Sequence, residues 1–155
     1  MGTLVLRIVV SMISQKHSIS FKRNLVSQKK IGNEVLEGSA YDSLGGLYND
    51  LGDHEKAIEF GEQSLRIFKK FGHRAKEGHM YLNLASVYVI LRKLEKATEF
   101  SRKGLKISKE IENKNLEGSA YASFADLYDH LGDLKASFEL GQKALRIAKE
   151  TETKR

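Results

Sequence analysis

The residue types that most often carry chemistry are present in this sequence, but they are scattered. Histidine, aspartate and glutamate can bind metal ions or transfer protons, and the chain has five His residues. No two of them stand at a spacing that suits a shared metal ion. Cysteine is absent, which excludes thiolate nucleophiles and thiolate metal sites. A phosphate-binding glycine loop is also missing. We therefore predict that the protein is not an enzyme and has no catalytic residues, no metal site and no cofactor.

Three glutamates recur at a fixed interval and need a separate explanation. Glu37, Glu77 and Glu117 stand forty residues apart. A carboxylate in the first turn of a helix interacts favourably with the helix dipole. We interpret the three glutamates as such first-turn acids, and this interpretation directs attention to the helices that would carry them.

An internal repeat of forty residues organises the chain. The segment from Glu37 to Tyr41 recurs unchanged from Glu117 to Tyr121, and residues 37–72 match residues 117–152 at 17 of 36 positions without a gap. The corresponding middle segment runs from Glu77 to Tyr81. Repeats of this length are typical of stacked supersecondary units.

Each forty-residue unit shows the pattern of two amphipathic helices. Apolar residues at steps of three and four mark one face of the first helix, as at Tyr41, Leu44 and Tyr48. Small residues recur in both helices, as at Gly45 and Ala57, and allow two helices to pack closely. The sequence predicts an all-α fold: an α–α superhelix, or solenoid, of about three hairpins at residues 34–73, 74–113 and 114–153, with an N-terminal helical segment before them.

The turns within the hairpins fit the same scheme. Gly52 and Gly132 follow first helices, where a left-handed residue is favoured, and Asp53 and Asp133 are placed to cap second helices. The middle unit has Arg92 at the glycine position, where left-handed backbone costs about 1–2 kcal/mol. We expect this turn to be the least stable unless it adopts another geometry.

The pattern resembles the tetratricopeptide repeat family. The family's large–Leu–Gly–Tyr pattern matches Tyr41, Leu44, Gly45 and Tyr48, and its alanine in the second helix matches Ala57. The forty-residue period is similar to that of G-protein-signalling modulators of the LGN/Pins type and of tetratricopeptide repeat protein 28-like proteins. The resemblance covers residues 34–152 and implies that the first helices line a concave groove that binds a polypeptide.

The register of the resemblance implies which residues face that groove. The candidate peptide-binding residues are Asp42, Asn49, Asp50, His79, Leu82, Asn83, Ser86, Val89, Ile90, Asp126, Asp129 and His130. They include four Asp and an apolar patch but no Lys or Arg, so the expected partner has apolar anchors and basic flanks. In the alternative interpretation these are solvated faces, with the apolar residues packed against a neighbouring helix.

These observations predict a protein–protein interaction scaffold, in signalling or cell-polarity complexes by the same resemblance. The alternative is a regulatory array within a larger protein that carries protease-like or signalling domains. The last helix, at about residues 134–151, has apolar residues without a following repeat to cover them. We therefore expect either a longer array or end-to-end self-association.

The net charge of +6 is confined to the N-terminal segment, residues 1–33, which has six basic residues and no acidic one. The remaining twenty basic residues balance twenty acidic ones, so nucleic acid is not an expected partner. Leu4 to Ile13 is too short to span a bilayer, and we predict no stable membrane insertion. The segment is interpreted as a divergent N-terminus with a degenerate half-repeat at 21–32, a mitochondrial presequence or a membrane-surface helix. The expected location is cytoplasmic, with mitochondrial as the alternative.

Overall fold

The computed structural model describes residues 15–16, 19–20, 23 and 34–153. Residues 15–16, 19–20 and 23 are helical, and six helices follow from residue 34. They are α1 (Glu34–Asp50), α2 (His54–Lys70), α3 (Arg74–Ile90), α4 (Leu94–Glu110), α5 (Lys114–His130) and α6 (Leu134–Glu152). The described residues contain no strand. The predicted all-α repeat fold is therefore confirmed.

The chain divides into two compact units within α2, between Ile67 and Phe68. Two helices fall within each of the predicted repeats, although the repeat limits themselves stay predictions. Apart from the five helical residues 15, 16, 19, 20 and 23, the predicted N-terminal segment 1–33 lies outside the described residues, and so does most of the half-repeat at 21–32.

The five turns between consecutive helices repeat one geometry every twenty residues. Each contains a residue with positive φ: Gly52 (78°), Gly72 (70°), Arg92 (57°), Glu112 (53°) and Gly132 (81°). The next residue donates its N–H to the carbonyl five positions earlier, as Lys93 does to Tyr88 at 2.9 Å. This is the long hydrogen bond of a Schellman motif, which satisfies carbonyls that the helix end leaves without partners. Arg92 thus adopts the left-handed conformation that the sequence associates with a cost.

Among the described residues, side chains cap three helices at the residue before the first turn. Oδ1 of Asp53 accepts a hydrogen bond from the Lys56 N–H at 3.2 Å, and Oδ1 of Asp133 accepts one from Ala136 at 3.0 Å, which confirms both predicted caps. Asn113 caps α5 in the same way, through the Leu116 N–H at 3.0 Å. The Lys56 ammonium also donates to Asp53 at 2.7 Å, and this hydrogen bond lowers the pKa of the Asp53 carboxyl.

Aromatic rings and small residues together close the first hairpin. The rings of Tyr48 and Phe60 stack with centroids 5.4 Å apart, so α1 and α2 share an aromatic layer. A Cβ atom added to Gly45 would lie 3.2 Å from the carbonyl oxygen of Ala57. The two backbones therefore approach as closely as a glycine allows, as the recurring small residues predict.

The second hairpin uses the same layer with a different ring geometry. Tyr81 and Tyr88 of α3 both pack edge-on against Phe100 of α4, at centroid distances of 5.5 and 5.2 Å. Ala85 and Ala97 are fully buried between the helices. The close approach predicted from small residues is therefore present in this hairpin as well.

One small residue in α4 is matched to a large residue in α3. The Leu82 side chain packs over Gly104, where an added Cβ would lie 2.4 Å from Leu82 Cδ2 and 2.8 Å from its Cγ. The corresponding pair in the third hairpin is Ala122 and Ala144. The large side chain of Leu82 on α3 thus fits because position 104 on α4 has no side chain. In the third hairpin, alanines stand at both equivalent positions.

The third hairpin docks on the second through the first turn of α5. Leu116 is fully buried and fills a notch at Gly78, where an added Cβ would lie 2.5 Å from Leu116 Cδ2 and 3.2 Å from Ile107 Cγ2. Further along, the hydroxyls of Ser101 in α4 and Ser123 in α5 are hydrogen bonded at 2.8 Å. These contacts fix the register of α5 against α3 and α4.

Candidate peptide-binding surface

The candidate surface of the second unit is formed by neighbouring faces of α3 and α5, which pack against each other. On α3, four residues spaced like one face of a helix are exposed: His79, Asn83, Ser86 and Ile90. Ile90 is the large apolar member, with 48% of its surface exposed. All four were predicted from the sequence to face the groove.

Two of the predicted groove residues on α3 are not available to a partner. Leu82 is 7% exposed and Val89 is 1% exposed, so the prediction that they are exposed is wrong. Each precedes an exposed position by one residue, and one residue turns the side chain by about 100° around the helix. Leu82 consequently points into the hairpin, over Gly104. Their burial agrees with the alternative interpretation for these two residues, while Ile90 remains exposed.

The face of α5 is acidic. Asp126 and Asp129 are exposed, and His130 is partly buried at the helix end. Nδ1 of His130 lies 3.0 Å from the carbonyl oxygen of Asp126 and 3.6 Å from its carboxylate, so the ring is held close to this carboxyl group. From residue 77 to residue 90 of α3, and from residue 115 to residue 130 of α5, the chain has no Lys or Arg.

One cation that the sequence interpretation left out reaches the end of α5. Arg92, in the left-handed turn after α3, donates through Nη1 to the carbonyl oxygen of His130 at 3.2 Å. A guanidinium at a helix C-terminus complements the helix dipole. The sequence gives no signal for this contact, because it joins residues that are 38 positions apart.

The candidate residues of the first unit lie on α1. Asp50 is exposed, and Asp42 is partly buried. Oδ1 of Asn49 lies 3.0 Å from Nδ1 of His54, the first residue of α2. Asn49 therefore has a role in joining the two helices of its own hairpin, in addition to any contact with a partner.

Several lysines of the second helices lie over tyrosine rings of the first helices. Lys96 Nζ is 5.3 Å from the Tyr88 ring centroid, and Lys143 Nζ is 4.1 Å from that of Tyr121. In the first hairpin, Lys56 lies over Tyr48 at 4.9 Å. Cation–π contacts of this kind add modest stability at exposed sites. These lysines therefore contribute to hairpin packing.

The recurring glutamates lie in first turns, as interpreted, but two of them are also buried. Glu37 is 8% exposed and Glu77 is 3% exposed. Arg74 donates to Glu77 at 2.7 Å and also hydrogen bonds to Glu110, and these bonds raise the pKa of the guanidinium. The burial was not expected from the sequence, and the Arg74 contact provides the charge partner that a buried carboxylate requires.

Two kinds of site are absent from residues 15–16, 19–20, 23 and 34–153. No group of three His, Cys, Asp or Glu side chains there comes together in a way that could hold a metal ion. Within the same part of the chain, no helix has both the length and the apolar character needed to cross a membrane.

Paired helices of about seventeen residues, joined by repeated left-handed turns, define a helical repeat protein. Two family models, each described as tetratricopeptide repeat, match residues 38–71 and 76–150. Together these matches extend over all three repeats, and the chain belongs to the tetratricopeptide repeat family. The narrower resemblance to the LGN/Pins-type modulators and to tetratricopeptide repeat protein 28-like proteins stays a prediction.

Solved structures show the same fold at low sequence identity. The structure of BtubC (BKLC) from P. vanneervenii matches with a TM-score of 0.77 and 24% identity, over 88% of this chain and 56% of that chain. The apo form of RapI matches with a TM-score of 0.74 and 18% identity, over 89% of this chain and 40% of that chain. The chain thus spans about half the length of these structures or less. A comparison with curated proteins found no match.

Proposed function

We propose that the chain is an interaction scaffold that binds a partner polypeptide through the exposed faces of its first helices. The observation that carries the proposal is the surface of α3 and α5, where the exposed side chain of Ile90 accompanies the exposed carboxylates of Asp126 and Asp129. An exposed apolar anchor with charges of one sign around it is typical of peptide recognition.

The partner expected for this surface has an apolar side chain for Ile90 and basic residues for the two aspartates. His79 and Ser86 offer hydrogen-bonding groups along the same face of α3, and the exposed Asn83 lies between them. The exposed Asp50 and the partly buried Asp42 give α1 in the first unit an acidic character too. A helical or extended segment rich in Lys and Arg, with spaced leucines, meets these requirements.

A synthetic peptide tests this proposal directly. The probe is a fluorescent amphipathic peptide with two leucines four residues apart and Lys or Arg on both sides, compared with a version that has Glu in place of the basic residues. We expect the basic peptide to bind and the acidic peptide not to bind in fluorescence anisotropy. Equal binding of both peptides would contradict the charge argument.

Variants of the chain then locate the binding surface. We expect the double change Asp126→Lys and Asp129→Lys to weaken binding by about tenfold or more, which corresponds to about 1.4 kcal/mol, because two attractions become repulsions. The double change Glu139→Lys and Glu150→Lys is the matched control, since both are exposed acids on α6 and the net charge changes equally. If the control variant lost as much affinity as the aspartate variant, general charge and not this surface would be responsible.

A second proposal concerns the protein in which the array works. The described repeats fit a regulatory array joined to a catalytic or signalling domain equally well, because helical repeats present a surface and leave chemistry to other domains. Mass spectrometry of the intact endogenous protein would decide between these two proposals. A mass close to that of the 155 residues would contradict the alternative.

We propose a cytoplasmic location, with mitochondrial import as the alternative that the basic segment 1–33 suggests. Fusion of these residues to a fluorescent protein separates the two proposals. Diffuse fluorescence would exclude import, and fluorescence confined to mitochondria would contradict the cytoplasmic proposal.

A further inference from the structure

The notch that Leu116 fills in the second repeat has a counterpart in the third. Gly78 and Ile107 form the occupied notch, and the residues forty positions later are Gly118 and Ile147. Around Gly118 the three nearest atoms to an added Cβ all belong to α6: Ile147 Cγ2 at 3.3 Å, Ala144 O at 3.7 Å and Ile147 Cβ at 3.7 Å. A cleft of about 590 Å³ opens at this point between α5 and α6. The third repeat therefore presents the notch without the leucine that fills it in the second.

The outer face of α6 continues this cleft as an apolar stripe. It consists of Leu134, Phe138, Gly141, Leu145 and Ala148. Leu134, Phe138 and Leu145 are 67%, 66% and 55% exposed. The matching positions of α4 include Ser101 and Ser108, which are buried, and Ser101 is hydrogen bonded to α5. The face of α4 that packs against α5 is therefore the face that α6 leaves uncovered.

The sequence of α1 identifies a helix that fits this surface. Residues 33–41 match residues 113–121, which include the docking turn of α5, at seven of nine positions. Leu36 takes the position of Leu116, and Ser43 takes that of Ser123. Leu116 is fully buried, whereas 46% of Leu36 is exposed. Helix α1 thus carries the same docking residues as α5, with its leucine about half exposed.

We propose that α1 of a second copy docks on α5 and α6, with its Leu36 in the notch of Gly118 and Ile147. The contact repeats the one by which α5 docks on α3 and α4 within a single chain. It is head-to-tail, because the two copies contribute different surfaces. Each pair of copies keeps one open notch and one half-exposed Leu36, so the association continues into longer assemblies. Helix α5 belongs to both surfaces, but Gly118, Leu145 and Ile147 are not among the candidate peptide-binding residues.

Sedimentation velocity of the full chain tests the proposal, at concentrations up to about 1 mM because a single docked helix makes a small and therefore weak interface. The average mass should rise with concentration. Leu36→Glu and Leu145→Glu should each weaken association at least tenfold. Ile90→Glu is the matched control: Ile90 is 48% exposed and lies outside this contact. It should associate like the unmodified chain.

Mixing the two variants distinguishes a head-to-tail contact from a symmetric one. The Leu36→Glu chain keeps an open notch, and the Leu145→Glu chain keeps the half-exposed Leu36 side chain. The mixture should therefore form a one-to-one complex that does not grow further. A symmetric contact would require both surfaces at once and would give no such complex, which would overturn the proposal.

Folding controls keep the test decisive. Both leucines are about half exposed, so the circular dichroism spectra and melting temperatures of the variants should stay close to those of the unmodified chain. Gly118→Ala provides a smaller change that reduces the notch, and it should also reduce association. A mass that stays monomeric at every concentration, or association that persists in both Leu→Glu variants, would overturn the proposal.

Discussion

The pairing of Leu82 with Gly104 predicts that one substitution will have opposite effects in two backgrounds. In the unmodified chain, a Cβ added at Gly104 would lie 2.4 Å from Leu82 Cδ2 and 3.3 Å from the carbonyl oxygen of Gly78. The leucine must move, and overpacking of this kind costs about 1–3 kcal/mol. Alanine in place of glycine inside a helix returns about 1 kcal/mol. We therefore expect Gly104→Ala to be destabilising by about 0–2 kcal/mol.

The same substitution should be stabilising once the leucine is removed. Leu82→Ala alone should cost about 2–5 kcal/mol, because the side chain is buried. In that background the two short contacts with Leu82 are gone and only the 3.3 Å approach to the Gly78 carbonyl oxygen remains, so the alanine at position 104 contributes its helix propensity, a gain of up to about 1 kcal/mol. The double variant reproduces the pair Ala122 and Ala144 of the third repeat. The coupling between the two substitutions should therefore be about 1–3 kcal/mol.

Urea unfolding followed by circular dichroism at 222 nm measures all four free energies of unfolding in this cycle. The dependence of the unfolding free energy on urea should stay the same in the four proteins, so that the values can be compared. Equal effects of Gly104→Ala in the two backgrounds would refute the reasoning, because they would mean that Leu82 does not occupy the space above the glycine.

Two further predictions concern the helix ends. Gly132 has a φ of 81° and no atom within 4 Å of an added Cβ, so Gly132→Ala should lower the free energy of unfolding by about 1–2 kcal/mol through backbone conformation alone. Glu112 has a φ of 53°, so Glu112→Gly should not lower the free energy of unfolding. Urea unfolding measures both effects. The lowered pKa of Asp53 means that its stabilising contribution is present above its unfolded pKa and is lost as the pH falls through the folded pKa. Asp53→Asn keeps the cap and removes the charge. The unmodified chain should therefore be more stable than the variant by less than about 1 kcal/mol at pH 7, and the difference should vanish in acid. A difference that grew below pH 4 would contradict this assignment.

The helices and their pairing could be predicted because their causes are local or periodic. The recurrence of Tyr48 and Tyr88, with small residues at fixed positions, defined two helices for each repeat. Gly52 and Asp53 marked a turn and a cap by their own backbone and side-chain preferences. The cap at Asn113 has no signal at the forty-residue period, because the equivalent position of the preceding repeat is His73, which makes no side-chain cap.

The exposure of individual groove residues could not be predicted in the same way. Leu82 was assigned to the groove by register, but its burial depends on a glycine 22 positions later in the chain. A comparison of the three repeats contains the signal: positions 42 and 64 are Asp and Ser, positions 82 and 104 are Leu and Gly, and positions 122 and 144 are Ala and Ala. The largest side chain in the first helix thus coincides with the smallest in the second.

The five left-handed turns recur every twenty residues, within hairpins and between them alike. The backbone geometry of the joints in the described chain is therefore the same, whichever helices they connect. Removal of residues 74–113 would join the turn at Gly72 and His73 directly to Lys114, the position where α5 already begins. A gene that encodes such a protein can therefore gain or lose forty codons while the backbone geometry of each junction is kept.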